Sequence, residues 1–378
     1  MSFTHTQKTI NASYPRDPNT TLKYGESGLK LVYNKFKTVK DISKDKTRVN
    51  LIFAHGTGMN KAIWNYYIRR LYELQNSNWQ VDAAISVDAI NHGDSAVLNR
   101  GKQGFNCAWS QGAKDLIHVV KHEQEHEGDF LINDGSKNIL IGHSLGGHQA
   151  VMAAFFEPGL FDAVIPIEPV IYALEEHEAR FSAILAKMKF LIKDTFNSKA
   201  DYYKYFNTKS FYQKFNKEVL QEMADDELEI GENDTVHTKS SNIDQMLTYV
   251  SAFQSIPQSM SILPVYQTPM LHIIGGSATW NPPDTPEYVK KLVPSQCYDQ
   301  VIVEGGAHLL VGESPDKVLP VIEDYIAMRV SFQEKDRSMR LAVKYNGDRA
   351  KALDETLAPA LEFLKQQKLA AKNGKSKL

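Results

Sequence analysis

Residues Asn138 to Gly147 read Asn-Ile-Leu-Ile-Gly-His-Ser-Leu-Gly-Gly, a short buried strand running directly into Gly-x-Ser-x-Gly. The apolar segment Ala150 to Phe156 follows as a helix. A strand, a glycine-flanked serine and a helix form a nucleophile elbow. The serine occupies a strained turn position that only small neighbours permit, which is why Gly142 and Gly146 flank it. Ser144 Oγ is thereby lifted above the edge of a sheet, and the rest of the chain must supply its partners.

A sheet of that kind needs a large core. With 378 residues, 42% hydrophobic and 23% charged, the chain has the composition of a globular protein, and one α/β core with an insertion fits it better than two independent domains. A net charge of −2 provides no field to draw the chain to nucleic acid. Cys107 and Cys297 are too few for a disulfide framework and read as two free thiols. The longest apolar region, Ala150 to Leu174, is interrupted by Glu157, Pro158, Gly159, Pro166, Glu168 and Pro169, so no membrane span is expected. Residues 1–20 are polar and contain Pro15 and Pro18, and are expected to form a surface arm.

Along the chain, Thr21 to Tyr24 and Leu29 to Thr38 read as an antiparallel pair of strands. Val49 to Ala54 reads as a strand buried on both faces, leading into His55-Gly56-Thr57-Gly58. A glycine-bearing turn after such a strand aims backbone N–H groups at a developing oxyanion, so Gly56 and Thr57, with Leu145 after the serine, are candidate donors. His55 and His143, flanking these turns, are candidate substrate contacts. Val81 to Asp88 is the next strand, and the loop Asn91-His92-Gly93-Asp94-Ser95 beyond it is expected to line the site. Helices are expected over 61–75 and 107–126.

The second of these carries His122-Glu123-Gln124-Glu125-His126, which satisfies the zinc pattern H-E-x-x-H, with His118 one turn earlier. The surrounding 121–129 segment is polar, and no third ligand follows downstream. A solvated helix face is the expectation, with no metal and no cofactor.

Phe161 to Pro169 reads as a strand ending in Glu168, after which strand and helix alternation stops for about ninety residues. This 175–264 segment is expected to be a helical lid inserted between core segments 21–174 and 265–330. Its aromatic cluster Tyr202, Tyr203, Tyr205, Phe206, Phe211, Tyr212 and Phe215 reads mainly as core, with some members facing the sheet top. An apolar cover over a serine elbow implies a substrate with an apolar portion. The acidic run 225–234 reads as a solvated loop. Strands resume at Met270 to Gly275 and Tyr298 to Glu304, the latter running into Gly305-Gly306-Ala307-His308. A histidine after the last strand is where the order serine, acid, histidine puts the general base. Residues 331–378 add a basic extension with helical leucine spacing and an expected break at Pro359. It closes on Ser376-Lys377-Leu378, the peroxisomal import address.

Together His55-Gly56, Gly142-His143-Ser144-Leu145-Gly146 and Gly306-Ala307-His308 resemble the α/β-hydrolase superfamily over about residues 20–330. With Asn91 to Ala96, Ile167 to Val170 and the terminal tripeptide, the chain looks like the peroxisomal lipase group of yeasts. The resemblance implies a mostly parallel central sheet flanked by helices, a lidded active site, ester or lipid hydrolysis and a peroxisomal matrix location. The implied partners are a small-molecule ester and the peroxisomal import receptor. One position departs from the superfamily pattern. The acid is common a few residues beyond the penultimate strand, but Ala278 stands near that place. Glu168, ending the strand after the elbow helix, is the favoured substitute and Asp284 its rival. An acyl-CoA thioesterase and a non-catalytic binding protein on the same fold are the alternatives to an esterase.

Overall fold

The computed structural model describes residues 2–23, 28–74, 76–132, 135–231, 235–331 and 348–375. Eight strands form one sheet: β1 (Phe3–Asn11), β2 (Lys30–Thr38), β3 (Thr47–Ala54), β4 (Trp79–Val87), β5 (Lys137–His143), β6 (Ala163–Ile167), β10 (Met270–Gly275) and β11 (Tyr298–Val303). Their spatial order is β1-β2-β4-β3-β5-β6-β10-β11. Only β2 runs against the others, being antiparallel to both β1 and β4. The chain passes from β3 outward to β4 and then returns to β5 on the opposite side of β3. That reversal opens a crevice at the carboxyl ends of the central strands, where ligand sites of open α/β sheets form.

The central strands are apolar on both sides because both sides are covered. Along β3, Leu51 and Phe53 join a cluster with Tyr67, Ile68 and Leu71 of α1 (Asn65–Glu73). Ile52 and Ala54 face the other way, onto residues of α3 (Trp109–Glu127) and α4 (Leu145–Phe156). This is the period of two of a strand with a core on each face. Helix α4 is apolar almost all round and is accordingly buried along most of its length. Between α1 and α3, α2 (Gly93–Asn99) forms where only a loop was expected. After the lid, α10 (Thr285–Leu292) packs on the α3/α4 side, and α12 (Pro315–Ser331), preceded by the single turn α11 (Leu310–Glu313), packs on the α1 side.

Two expectations at the amino end fail. Within the expected surface arm, residues 3–11 are a strand of the main sheet and pair with β2 over its whole length, from Phe3 opposite Thr38 to Asn11 opposite Lys30. The partner expected for β2 was Thr21 to Tyr24, yet Thr21 makes only an isolated bridge to Gln103, and residues 24–27 lie outside the described set. Strand β1 escaped notice because both its faces are largely exposed, so its sequence lacks an apolar stripe.

The insertion after β6 holds α5 (Glu178–Leu191), α6 (Lys199–Thr208), α7 (Lys217–Glu227), α8 (Asn242–Val250) and α9 (Ala252–Ile262). It also contains a small antiparallel sheet that was not expected, β7 (Thr195–Phe196), β9 (Val236–Thr238) and β8 (Leu228–Ile230), in that order. Tyr202, Phe206 and Phe215 are buried and continuous with the core cluster. The acidic run is not solvated throughout: Asp226, partly buried, pairs with Lys61, and Glu227 is buried at the end of α7.

Residues 331–378 form a separate unit. Within it α13 (Arg349–Lys375) continues through Pro359 without the expected break. Proline's fixed φ is itself helical, so the cost there is one lost hydrogen bond and local crowding. Ser376, Lys377 and Leu378 lie outside the described residues. Among the described helices none is long and apolar enough to cross a membrane.

Candidate active site

Strand β5 ends at His143, and Ser144 follows with φ 52° and ψ −112°. This is a strained conformation for a residue with a side chain. It is held because the amide of Ser144 donates to Ile167 O at 3.0 Å and its carbonyl accepts from His148 N at 3.0 Å. The neighbouring glycines are demanded by space. A Cβ on Gly146 would lie 2.3 Å from Ala54 O, and one on Gly142 would lie 2.1 Å from Gly146 O. The turn therefore packs backbone on backbone, leaving Ser144 Oγ at the crevice.

There Oγ lies 3.1 Å from His308 Nε2, and His308 Nδ1 lies 3.1 Å from Glu168 Oε2. With Nδ1–H donating to the carboxylate, Nε2 presents its lone pair to the serine hydroxyl. Glu168 follows β6 directly and has a positive φ of 46°, which turns it out of the strand line. Its Oε1 accepts from Gly275 N at 2.7 Å and its Oε2 from Asn281 Nδ2 at 3.2 Å. The structure thus brings Ser144, His308 and Glu168 together and leaves Asp284 out. Asp284 accepts from Tyr172 OH at 2.6 Å, stands 3.9 Å from His177, and is half exposed.

The loop after β3 lies against the elbow, since a Cβ on Gly56 would be 3.4 Å from Ser144 Cβ. Three side chains clamp it. His55 Nδ1–H donates to Gly56 O at 2.9 Å while its Nε2 accepts from Ala89 N. His92 Nε2 accepts from Gly58 N at 3.0 Å, and Tyr212 from the lid donates to Gly58 O at 2.7 Å. The amide of Leu145 is the first of α4 and so has no carbonyl within its own helix to bond.

His55 and His143 were expected to touch substrate and do not line the cavity described below. Both are buried. His143 donates from Nε2 to His308 O at 2.7 Å. Burial pushes the His55 imidazole down to about 4 and that of His143 to about 3, so both stay neutral at ordinary pH. The loop 91–95 also serves the scaffold: Asn91 donates to Thr248 of α8 at 2.6 Å, and Asp94 accepts from Lys61 at 2.7 Å.

A cavity of about 540 Å³ adjoins the site. Its walls are mostly apolar, from α5, α9 and the segment after β6, and Trp280 and Asn281 also line it. Trp280 stacks on His308 with ring centroids 5.3 Å apart and planes 19° apart. Asn281 is the donor to Glu168 just described. Sequence reasoning missed both roles, for neither residue belongs to a motif.

The zinc pattern on α3 holds no such constellation. Glu123 is not on a solvated face, as was expected, but wholly buried, accepting from Tyr33 OH and Lys35 Nζ. His122 and His126 stack on one another at the exposed end of the helix. Among the described residues the one grouping of potential ligands is Asp88, Asp94 and Asp226. Lys61 Nζ already fills its centre, 3.0, 2.7 and 2.8 Å from the three carboxylates.

A strained serine between β5 and α4, a histidine after the last strand and an acid on a neighbouring strand define an α/β-hydrolase. The chain belongs to the alpha/beta hydrolase family, whose model matches residues 51–321. It is 31% identical over 343 residues to the peroxisomal membrane protein LPX1 of Saccharomyces cerevisiae, covering 86% of this chain and 87% of that one. The solved structure titled peroxisomal alpha-beta-hydrolase Lpx1, from the same yeast, matches with TM-score 0.79 and 29% identity over 95% of this chain and 99% of that chain. The sn-1-specific diacylglycerol lipase ABHD11 of Mus musculus is 22% identical over 75% of this chain and 82% of its own. The type I acyl-CoA thioesterase mpaH' of Penicillium brevicompactum is 25% identical over 45% of this chain and 37% of its own.

Proposed function

We propose that this chain is a serine hydrolase of carboxylic esters with an apolar acyl or alkyl portion. The observation that carries the reading is the relay from Ser144 Oγ to His308 Nε2 and from His308 Nδ1 to Glu168, each at 3.1 Å. His308 takes the hydroxyl proton as Oγ attacks the ester carbonyl, and Glu168 holds the tautomer and balances the imidazolium. The carbonyl electrons collect on an oxyanion facing the amides of Leu145 and the Gly56-Thr57 turn, each donor contributing about 3 kcal/mol to lowering the barrier. Collapse expels the alcohol, which takes its proton from His308. A water then repeats the sequence on the acyl-enzyme, releasing the acid and restoring Ser144.

The test is an ester series run with the wild-type chain and Ser144→Ala, beside labelling by a serine-directed phosphonate. Turnover that survives in Ser144→Ala rejects the reading. A second reading, acyl-CoA thioester hydrolysis, is supported by the likeness to the Penicillium thioesterase and uses the same steps at the carbonyl. Preference for an acyl-CoA series over the esters would favour it. A peroxisomal location is supported by the terminal Ser376-Lys377-Leu378 and by the printed name of the yeast relative. Deleting the tripeptide should disperse a tagged chain into the cytosol if the import receptor reads it.

A further inference from the structure

We propose that the loop 276–281, which lacks the acid, positions both partners of Ser144: Asn281 fixes the Glu168 carboxylate and Trp280 backs the His308 imidazole. Both roles rest on the serine-hydrolase reading.

The loop shares a scaffold with the base. As the chain leaves β10, Gly276 N donates to Val303 O at 2.9 Å and Ser277 N to Gly306 O at 2.8 Å. The loop is thereby joined to the end of β11 and to the turn that carries His308. Ala278 N closes back on Gly275 O at 3.0 Å. Ala278 stands near the position where the acid was expected, and the residues two and three further on reach the base and the acid instead.

Glu168 needs outside support for two reasons. A glutamate has one more rotor to freeze than an aspartate, and this one also holds a positive φ of 46°. Asn281 Nδ2 lies 3.2 Å from Glu168 Oε2, 3.4 Å from Glu168 O and 3.3 Å from Pro169 O. All three are acceptors, so the amide presents its nitrogen and ties the carboxylate to the strained backbone that carries it. With Gly275 N on Oε1 and Asn281 on Oε2, both oxygens are held in place for the bond from His308 Nδ1–H.

Trp280 acts on the other partner. Its ring lies nearly parallel to the imidazole of His308, with centroids 5.3 Å apart, and Tyr249 of α8 stands 5.9 Å from the indole. An indole face attracts a cationic ring more strongly than a neutral one. The imidazolium forms only as Oγ attacks, so this contact strengthens towards the transition state and acts on kcat.

In the full-length protein, kcat and KM are read on a phenyl acetate ester, and the rate of reaction with a serine-directed phosphonate is read at Ser144. Asn281→Leu keeps the volume and removes the donor; it should lower kcat and the labelling rate about tenfold, with KM within about twofold. Asn281→Gln, which keeps the amide, should recover part of the loss. Beside Glu168→Gln, Asn281→Leu should cost less than about twofold more, because the amide acts through the carboxylate, whereas a merely structural role would carry its full loss into that background. Trp280→Leu should lower kcat about fivefold, and Trp280→Phe, which keeps a π face, should lie between it and the wild type.

Wild-type rates in Asn281→Leu, or its full loss repeated beside Glu168→Gln, overturn the role of Asn281. Equal rates in Trp280→Leu and the wild type overturn that of Trp280. A wild-type chain that takes the phosphonate at Ser144 yet cleaves no ester refutes the esterase reading, while its labelling rates still decide the two roles. One that cleaves esters through Ser144 with these variants unaffected refutes the roles alone, and one that does neither refutes both.

Discussion

His143, the residue immediately before Ser144, donates from Nε2 to the backbone oxygen of His308 at 2.7 Å. The strand that ends beside Ser144 therefore holds the loop that carries His308, the proposed general base, so that the imidazole of His308 and the hydroxyl of Ser144 share one anchor. Replacing His143 by Phe removes the tether but keeps an aromatic ring beside Gly56. We expect kcat on a short ester to fall by about one to two orders of magnitude, with KM little changed, because the loss is one of alignment. His143→Gln, able to donate from its amide, should recover part of the rate. Equal kcat in the wild type and His143→Phe would reject the role.

Glu168→Gln should lower kcat about 10³- to 10⁴-fold while leaving the fold intact, since an amide disturbs the tautomer that Nδ1–H donation to the carboxylate maintains. Asp284→Asn should remain within threefold, as that carboxylate is engaged by Tyr172. A reversal of these two outcomes would move the acid to Asp284.

The elbow was legible in the sequence because its constraints are local. Apolar residues run to Gly142, and both glycines are dictated by backbone contacts within the turn and with β3. His308 was legible for a related reason, an apolar strand ending in a glycine turn late in the chain. Lys61 and the acidic residues Asp226 and Glu227 were not. The partners of Lys61 include Asp226, 165 residues away, and local charge density cannot distinguish a carboxylate facing water from one aimed at a buried ammonium. Glu123 misled in the same way: a polar stretch of helix hides the one carboxylate that turns inward to Tyr33 and Lys35. The strands of the lid are two or three residues long, too short for any period to register.

Gly146→Ala should destabilise the protein by about 3 kcal/mol or more, because the new methyl meets the fixed carbonyl of Ala54 at 2.3 Å and not a mobile side chain. Gly159→Ala, with nothing within 4 Å of the added carbon, should change stability by less than about 1 kcal/mol. Denaturant midpoints of the two variants provide the comparison. Equal midpoints would mean that the elbow relaxes more readily than its packing implies.

Lys61 joins the core residues Asp88 and Asp94 to Asp226 of the lid, and Lys239 of the lid returns a charge to Asp94 at 2.5 Å. Burial opposes charge on Lys61, but the three carboxylates outweigh it and hold its pKa above the usual lysine value. Lys61→Met leaves these carboxylates short of a counter-charge, a change worth about 3–5 kcal/mol. It should also expose α7 to limited proteolysis, since Asp226 would lose its tie to the core. Arg69→Met, at the more exposed pairs with Glu218 and Glu222, should cost no more than about 1 kcal/mol.

Acid should unfold this protein well above the pH at which ordinary carboxylates protonate, owing to its buried histidines. Burial lowers His55, His148 and His272 to about 4 and His143 to about 3, and lowers His92 well below the ordinary value. In the unfolded chain each returns to about 6.5. Between these limits the unfolded state binds more protons, so the stability contribution is complete above pH 6.5 and is lost as pH falls towards 4 and then 3. One ring lowered to about 4 accounts for roughly 3 kcal/mol across that window. His148 offers a clean test, because Asn can replace its Nδ1–H donation to Val170 O, now at 3.0 Å. At pH 5, the slope of unfolding free energy against pH should be about 1.2 kcal/mol per unit smaller in His148→Asn than in the wild type, the loss of nearly one proton's uptake. Parallel curves for the two proteins would mean that His148 already titrates in the folded state, and that its burial does not hold it neutral.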